Sequence, residues 1–202
     1  MNISKFTQKS IEAIEGCEKL AYEYGNQEIE QEHLLYSLLS IEESLIFKLI
    51  EKMGINKEHF VDRAQAAIQK RVKVQGGQVY MGQALNKALI SAEDEAKAMG
   101  DSYVSVEHLF LSLLKYPNQE IKKLFDEYGL TRERFLQALS QVRGNQTVNS
   151  DNPEVTYDSL NKYGKVGQRY IYETGSNMTC ATFEHKVATS LTNCKPVVRH
   201  AR

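Results

Sequence analysis

The chain has 202 residues, a quarter of them charged, with a formal net charge of −1. That length suits one ordinary domain with an appendage, or two small domains sharing an interface. A near-neutral balance excludes the dominant basic field that binding to a phosphate backbone requires, so no nucleic-acid partner is expected.

From the N-terminus, Ile11, Ile14, Cys17, Ala21 and Tyr24 recur at steps of three and four residues, an apolar helical stripe that stops at Gly25. A second helix is predicted over 31–41. SLIFKLIEKMG makes a third, closed by Gly54, and NKEHFVDRAQAAIQKRV a fourth, with Asn56 as its N-cap. The plan then repeats: helices are predicted over 82–99, 105–115 capped by Ser105, 118–128 closed by Gly129, and 131–142 opened by Thr131. VQGGQVY, Val74 to Tyr80, reads as the connector between the two sets.

The second set is a copy of the first. With a constant offset of 75 and no gap, 17 of 62 positions from Phe6–Ala67 onto Met81–Val142 are identical. Glu32-His33-Leu34 falls on Glu107-His108-Leu109, Gly25 on Gly100, Gly54 on Gly129 and Phe60 on Phe135. Four short helices bury little apolar surface alone, so the two copies are expected to dock about a pseudo-twofold axis, each completing the other's core.

These repeats, with FTQKSIEAIEGCEKLAYEYGNQEIEQEHLLYSLL and MGQALNKALISAEDEAKAMGDSYVSVEHLFLSLL, resemble the double Clp N-terminal repeat of AAA+ unfoldases and disaggregases of the ClpB and ClpC type, with ClpB the closer match. The resemblance spans residues 1–144 and implies an all-α fold of two tandem four-helix repeats, about 4–72 and 81–143. NPEVTYDSLNKYG resembles the linker that leads into the first ATPase module, giving a linker over 145–164. No G-x-x-x-x-G-K-[ST] loop occurs, so no ATPase activity and no cofactor are expected. The family implies binding of unfolded or aggregated polypeptides, or of adaptor proteins, on behalf of AAA+ modules. A stand-alone adaptor, a competitor, or a ClpC-like phosphoarginine-recognition module are the alternatives.

Residues 165–202 are rich in Ser and Thr and lack helical periodicity; they are expected to form a disordered tail. Cys17, Cys180 and Cys194 match neither zinc-ligand spacing nor a disulfide framework, which points to a reducing compartment. The opening MNISKFTQKS lacks a signal-peptide core, and no run approaches about 18 apolar residues, so a cytoplasmic chain with no membrane partner is expected.

Four residues are candidates for the binding surface. Glu32 and Glu107 open equivalent helices, where a carboxylate favours the helix dipole. The resemblance adds a second role, since family glutamates at these positions bind phosphorylated arginine or handle substrate, and a carboxylate pairs well with a guanidinium. Thr7 reads as an N-cap, to which the resemblance adds a place on the substrate surface. The second copy has Gly82 there, which departs from two equivalent phosphoarginine pockets. Asp101 reads either as a solvated loop acid after Gly100 or, from the resemblance, as a residue linked to chaperone activity. His33 and His108 read as core or helix-start residues rather than metal ligands, because no Cys or second His falls at ligand spacing.

Overall fold

The computed structural model describes residues 3–41, 44–74, 76–144 and 146–153. The expected tail, 165–202, and the linker beyond Pro153 lie outside the described residues. In the first half, α1 is Gln8–Tyr24, α2 Gln31–Ser40, α3 Leu45–Lys52 and α4 Lys57–Gln69; in the second, α5 is Gln83–Ala98, α6 Val106–Lys115, α7 Gln119–Glu127 and α8 Arg132–Arg143. The predicted two-times-four arrangement is therefore present, with boundaries within a few residues of those read from periodicity.

The caps follow local chemistry. Thr7 Oγ1 accepts from the Ser10 amide at 3.3 Å to start α1, Asn56 Oδ1 accepts from His59 at 2.9 Å to start α4, and Thr131 Oγ1 accepts from Arg134 at 3.3 Å to start α8. Gly25 ends α1 at φ 71°, a left-handed conformation that lets Asn26 N reach the Ala21 carbonyl at 2.8 Å.

Helices α2 and α6, the two that carry the Glu-His-Leu motif, form the centre, and they pack on each other as well as on α1 and α5 respectively. Leu34, Leu35 and Leu38 on α2 and Leu109, Phe110, Leu111 and Leu113 on α6 are fully buried. Each contributes about 1.5–3 kcal/mol of burial. Phe110 stacks on Phe135 at 4.6 Å between centroids, and Phe60 of α4 meets the edge of Tyr128 in the other half at 5.0 Å. Among the described residues no helix is long and apolar enough to cross a membrane.

The halves are joined by a reciprocal exchange of extended segments. In the second half, Val104 N donates to Lys5 O at 2.7 Å and Thr7 N to Val104 O at 2.9 Å. At equivalent positions, β1 (Glu28–Ile29) pairs in parallel with β2 (Tyr80–Met81), and Gly82 N donates to Ile29 O at 2.8 Å. The segment before α1 thus pairs with the segment before α6, and the segment before α5 with the segment before α2. This exchange carries the pseudo-twofold relation. Periodicity predicts only a connector over Val74–Tyr80, because a two-residue strand is too short to show an alternating pattern.

Beyond α8, residues 146–153 run back along the domain as a strap. Val148 is fully buried, its carbonyl accepts from the amides of Ser102 at 3.0 Å and Tyr103 at 3.3 Å, and Asp151 O accepts from Gln8 N at 2.9 Å. The first residues of the expected linker accordingly pack on the repeats.

Candidate functional site

Each half builds a buried polar knot where its Glu-His-Leu helix begins. In α2, His33 Nδ1 accepts from the Glu30 amide at 3.0 Å, so this nitrogen is unprotonated and Nε2 carries the hydrogen. Nε2 donates to Asn26 Oδ1 at 3.1 Å. In α6, His108 Nδ1 accepts from the Ser105 amide at 2.9 Å and Nε2 donates to Asp101 Oδ2 at 2.9 Å. Both histidines are fully buried helix-start residues, as expected, and every ring nitrogen is engaged within the protein. Burial, reinforced by the Arg71 cation, holds His33 down at about 4, which keeps it neutral.

The two knots differ in charge. Asn26 is neutral, whereas Asp101 is an acid with a fully buried side chain. The reading of Asp101 as a solvated loop acid is therefore corrected: the αL turn at Gly100 directs the carboxylate inward, where it meets donors. Burial alone raises such a carboxyl. Hydrogen bonds from His108, Arg143 and the Val148 amide, the last at 2.8 Å, outweigh it and hold Asp101 at about 2.

Glu32 and Glu107 both lie in first helical turns and are both buried, yet they are answered by different cations. Glu32 accepts from Arg71 Nη1 at 3.1 Å and from Asn118 Nδ2 in the other half at 3.0 Å, and Arg71 also reaches Glu28 at 3.2 Å. Glu107 faces Arg143 at 3.7 Å, and Arg143 also holds Asp101 and the Gln146 carbonyl. Arg71 corresponds in the repeat to Gln146, and Arg143 to Ile68, so neither cation is visible as a repeated motif. Gln31 was also missed by sequence reasoning. Its buried amide donates to Ala84 O at 3.1 Å and Tyr116 O at 2.8 Å and accepts from Asn118 N at 2.7 Å, joining α2 to the second half.

Thr7 is fully buried as the α1 cap. At its counterpart Gly82 the backbone is ordinary, but an added Cβ would lie 1.9 Å from Glu30 Oε1. Glu30 stands where the second half has Ser105, so its longer side chain fills the space a threonine would take.

Of the four candidates, Glu32 reaches an open pocket. A cavity of about 550 Å³ between α4 and α7 is lined by Glu32, Arg63, Lys70, Arg71, Glu120 and Lys123, with Ala67 and Leu124 as its buried apolar surface and Val72 at its exposed edge. The structure does not bring Thr7, Asp101 or Glu107 to this pocket; Asp101 and Glu107 meet through Arg143 beside the strap.

A double four-helix repeat with matched buried glutamate–histidine helix starts defines a class of small helical domain, and comparison gives its family. Residues 5–128 match the Clp repeat (R) N-terminal domain, and the chain belongs to that family. It is 40% identical over 171 residues to the chaperone protein ClpB of Nitratidesulfovibrio vulgaris and 38% identical over 170 residues to ClpB of Clostridium tetani, covering 82% of this chain in both cases. It spans about one fifth of the length of those relatives. The fold matches the Hsp104 N-terminal domain from Candida albicans with a TM-score of 0.65 at 22% identity, covering 73% of this chain and 97% of that one. It also matches a ClpV N-domain solved in complex with a VipB peptide, with a TM-score of 0.58 at 21% identity over 73% of this chain and 92% of that one.

Proposed function

We propose that this domain takes up polypeptide, an unfolded client or an adaptor segment, on behalf of a Clp-type ATPase and performs no chemistry itself. The observation that carries the reading is the family match combined with the ClpV N-domain, a neighbour of the same fold that holds a peptide. Glu32 contributes by holding Arg71 and Asn118 at the wall of the pocket between α4 and α7, which leaves the exposed side chains of that pocket to meet the polypeptide. Thr7, Asp101 and Glu107 lie away from that pocket and act through the fold, by fixing the start of α1 and the path of the strap. Exposed ion pairs are worth about 1 kcal/mol or less, so apolar contacts supply most of the affinity.

The phosphoarginine alternative is disfavoured by what already occupies the carboxylates. A guanidinium at Glu32 would have to displace Arg71, one at Glu107 would compete with Arg143, and Glu30 fills the space at Gly82.

Titration of a fluorescein-labelled, reduced and carboxymethylated α-lactalbumin with the chain, followed by anisotropy, tests the reading. Weak saturable binding is expected, reduced by Glu32→Gln by less than about tenfold, while free phosphoarginine does not compete. Failure of the wild-type chain to bind would remove the unfolded-client reading.

A further inference from the structure

The pseudo-twofold relation places an occupied slot in one half over an open one in the other. In the second half, Val148 lies at 0% exposure, its amide donates to Asp101, and its carbonyl accepts from the amides of Ser102 and Tyr103. The counterparts of Asp101, Ser102, Tyr103 and Val148 are Asn26, Gln27, Glu28 and Lys73. There the chain takes a different course: Val74 N donates to Gly25 O at 2.8 Å and Asn26 Nδ2 donates to Val72 O at 3.1 Å. What remains beside Asn26, Gln27 and Glu28 is a pocket of about 190 Å³, rimmed by Val72, Val74 and Tyr80, with the Arg71–Glu28 ion pair at 3.2 Å on its wall. These three are 81%, 42% and 53% exposed, an apolar rim beside the paired Arg71 and Glu28 side chains.

We infer that this first-half slot binds an extended polypeptide segment carrying one aliphatic, β-branched residue flanked by small polar ones, seated as Val148 is seated in the second half. The occupant is specified by the molecule's own example: Thr147-Val148-Asn149 shows which chain fits the equivalent slot and which backbone groups receive it. An extended strand added to a short edge draws affinity from main-chain hydrogen bonds and selectivity from one side-chain pocket. β1 already uses one edge for β2, and the slot lies along the same residues, Gln27 and Glu28. Lys73, long and charged, stands in the chain where the second half has a valine, so the first half lacks a built-in residue suited to the apolar slot. The inference rests on the reading that the domain takes up polypeptide, and it names where and in what conformation.

The test uses the full chain labelled with ¹⁵N and a synthetic peptide, Gln-Thr-Val-Asn-Ser-Asp-Asn-Pro, matching residues 146–153. Saturable shifts are expected at the amides of Gln27, Glu28, Val72, Val74 and Tyr80, with a dissociation constant of about 1 mM or tighter. A Val148→Asp version of the peptide, and separately a Val72→Asp chain whose exposed site leaves folding intact, should each bind at least about tenfold more weakly. Shifts at Ser102 and Tyr103 in place of Gln27 and Glu28 would mean that the peptide exchanges with the strap, and would overturn the slot. So would no saturable shift, or equal binding of the Val148→Asp peptide. Carboxymethylated α-lactalbumin separates the two readings. If it binds with shifts elsewhere, the slot is wrong and client binding stands; if only the peptide binds, at the slot, the slot stands and the unfolded-client reading falls.

Discussion

His108 donates its Nε2 hydrogen to Asp101 at 2.9 Å, and at the same place in the first half the acceptor is the uncharged Asn26. The acid in the second half also answers Arg143 and the strap amide of Val148. Asp101→Ala leaves Arg143, 5% exposed at its side chain, without its closest carboxylate and removes one of the strap's anchors. The expected cost is about 3–5 kcal/mol, read as a fall in the urea midpoint. Asp101→Asn, which copies the first-half arrangement at His108, should cost clearly less; an equal loss for both would mean that the carboxylate's shape and charge are inseparable here.

Acid should weaken the fold through His33. Its folded value near 4 lies below the ordinary 6.5, so the unfolded chain binds the proton more readily. The contribution is complete above about pH 6.5 and is lost as pH falls toward 4, to the extent of about 3 kcal/mol. Protonation also removes the Nδ1 lone pair that caps Glu30 N. Comparing urea unfolding from pH 7 to 4 in the wild type and in His33→Gln should show a flatter pH slope in the variant.

Asp101 acts in the same direction but lower on the scale. Held at about 2 against an ordinary 3.8, its stabilisation is present above pH 4 and declines only between roughly pH 4 and 2. The urea midpoint of the wild type should thus fall with pH in two windows, the earlier flattened in His33→Gln and the later altered in Asp101→Asn.

Gly82→Thr should destabilise by about 1–3 kcal/mol, because the new Cβ meets the Glu30 carboxylate that caps α2. Adding Glu30→Ser rebuilds the Thr7 and Ser105 combination of the other half and should recover most of that loss. Additive urea midpoints for the two changes would show that the residues do not compete for space.

Cys17 should be inert while the domain is folded. Burial pushes its thiol up to about 12, and Sγ donates to Ala13 O at 3.1 Å. Iodoacetamide at pH 8 should leave the Cys17 peptide unmodified by mass spectrometry, and modify it once urea unfolds the domain.

The repeat made most of the fold legible. Helix faces, glycine stops and the caps at Thr7, Asn56, Ser105 and Thr131 follow from spacing and short-range hydrogen bonding, which depend on near neighbours alone. The fixed offset then predicted two docked halves. The candidate site was legible as positions only: Glu32, Asp101 and Glu107 could be marked, and whether each faced solvent could not. Asp101 turned out buried because its donors come from α6, α8 and the strap, three segments that no local pattern links.

What the sequence by itself determined is thus the two-times-four helical plan, through periodicities that every residue carries alone. Only the tertiary structure decided which cation answers each buried glutamate, since Arg71 and Arg143 sit at non-equivalent places in the repeat. It also decided that one half fills its edge slot with Val148 while the other leaves Val72 and Tyr80 exposed around an open one. Burial and pairing are set by what arrives from distant parts of the chain, and duplicated sequence gives duplicated helices without giving duplicated surroundings.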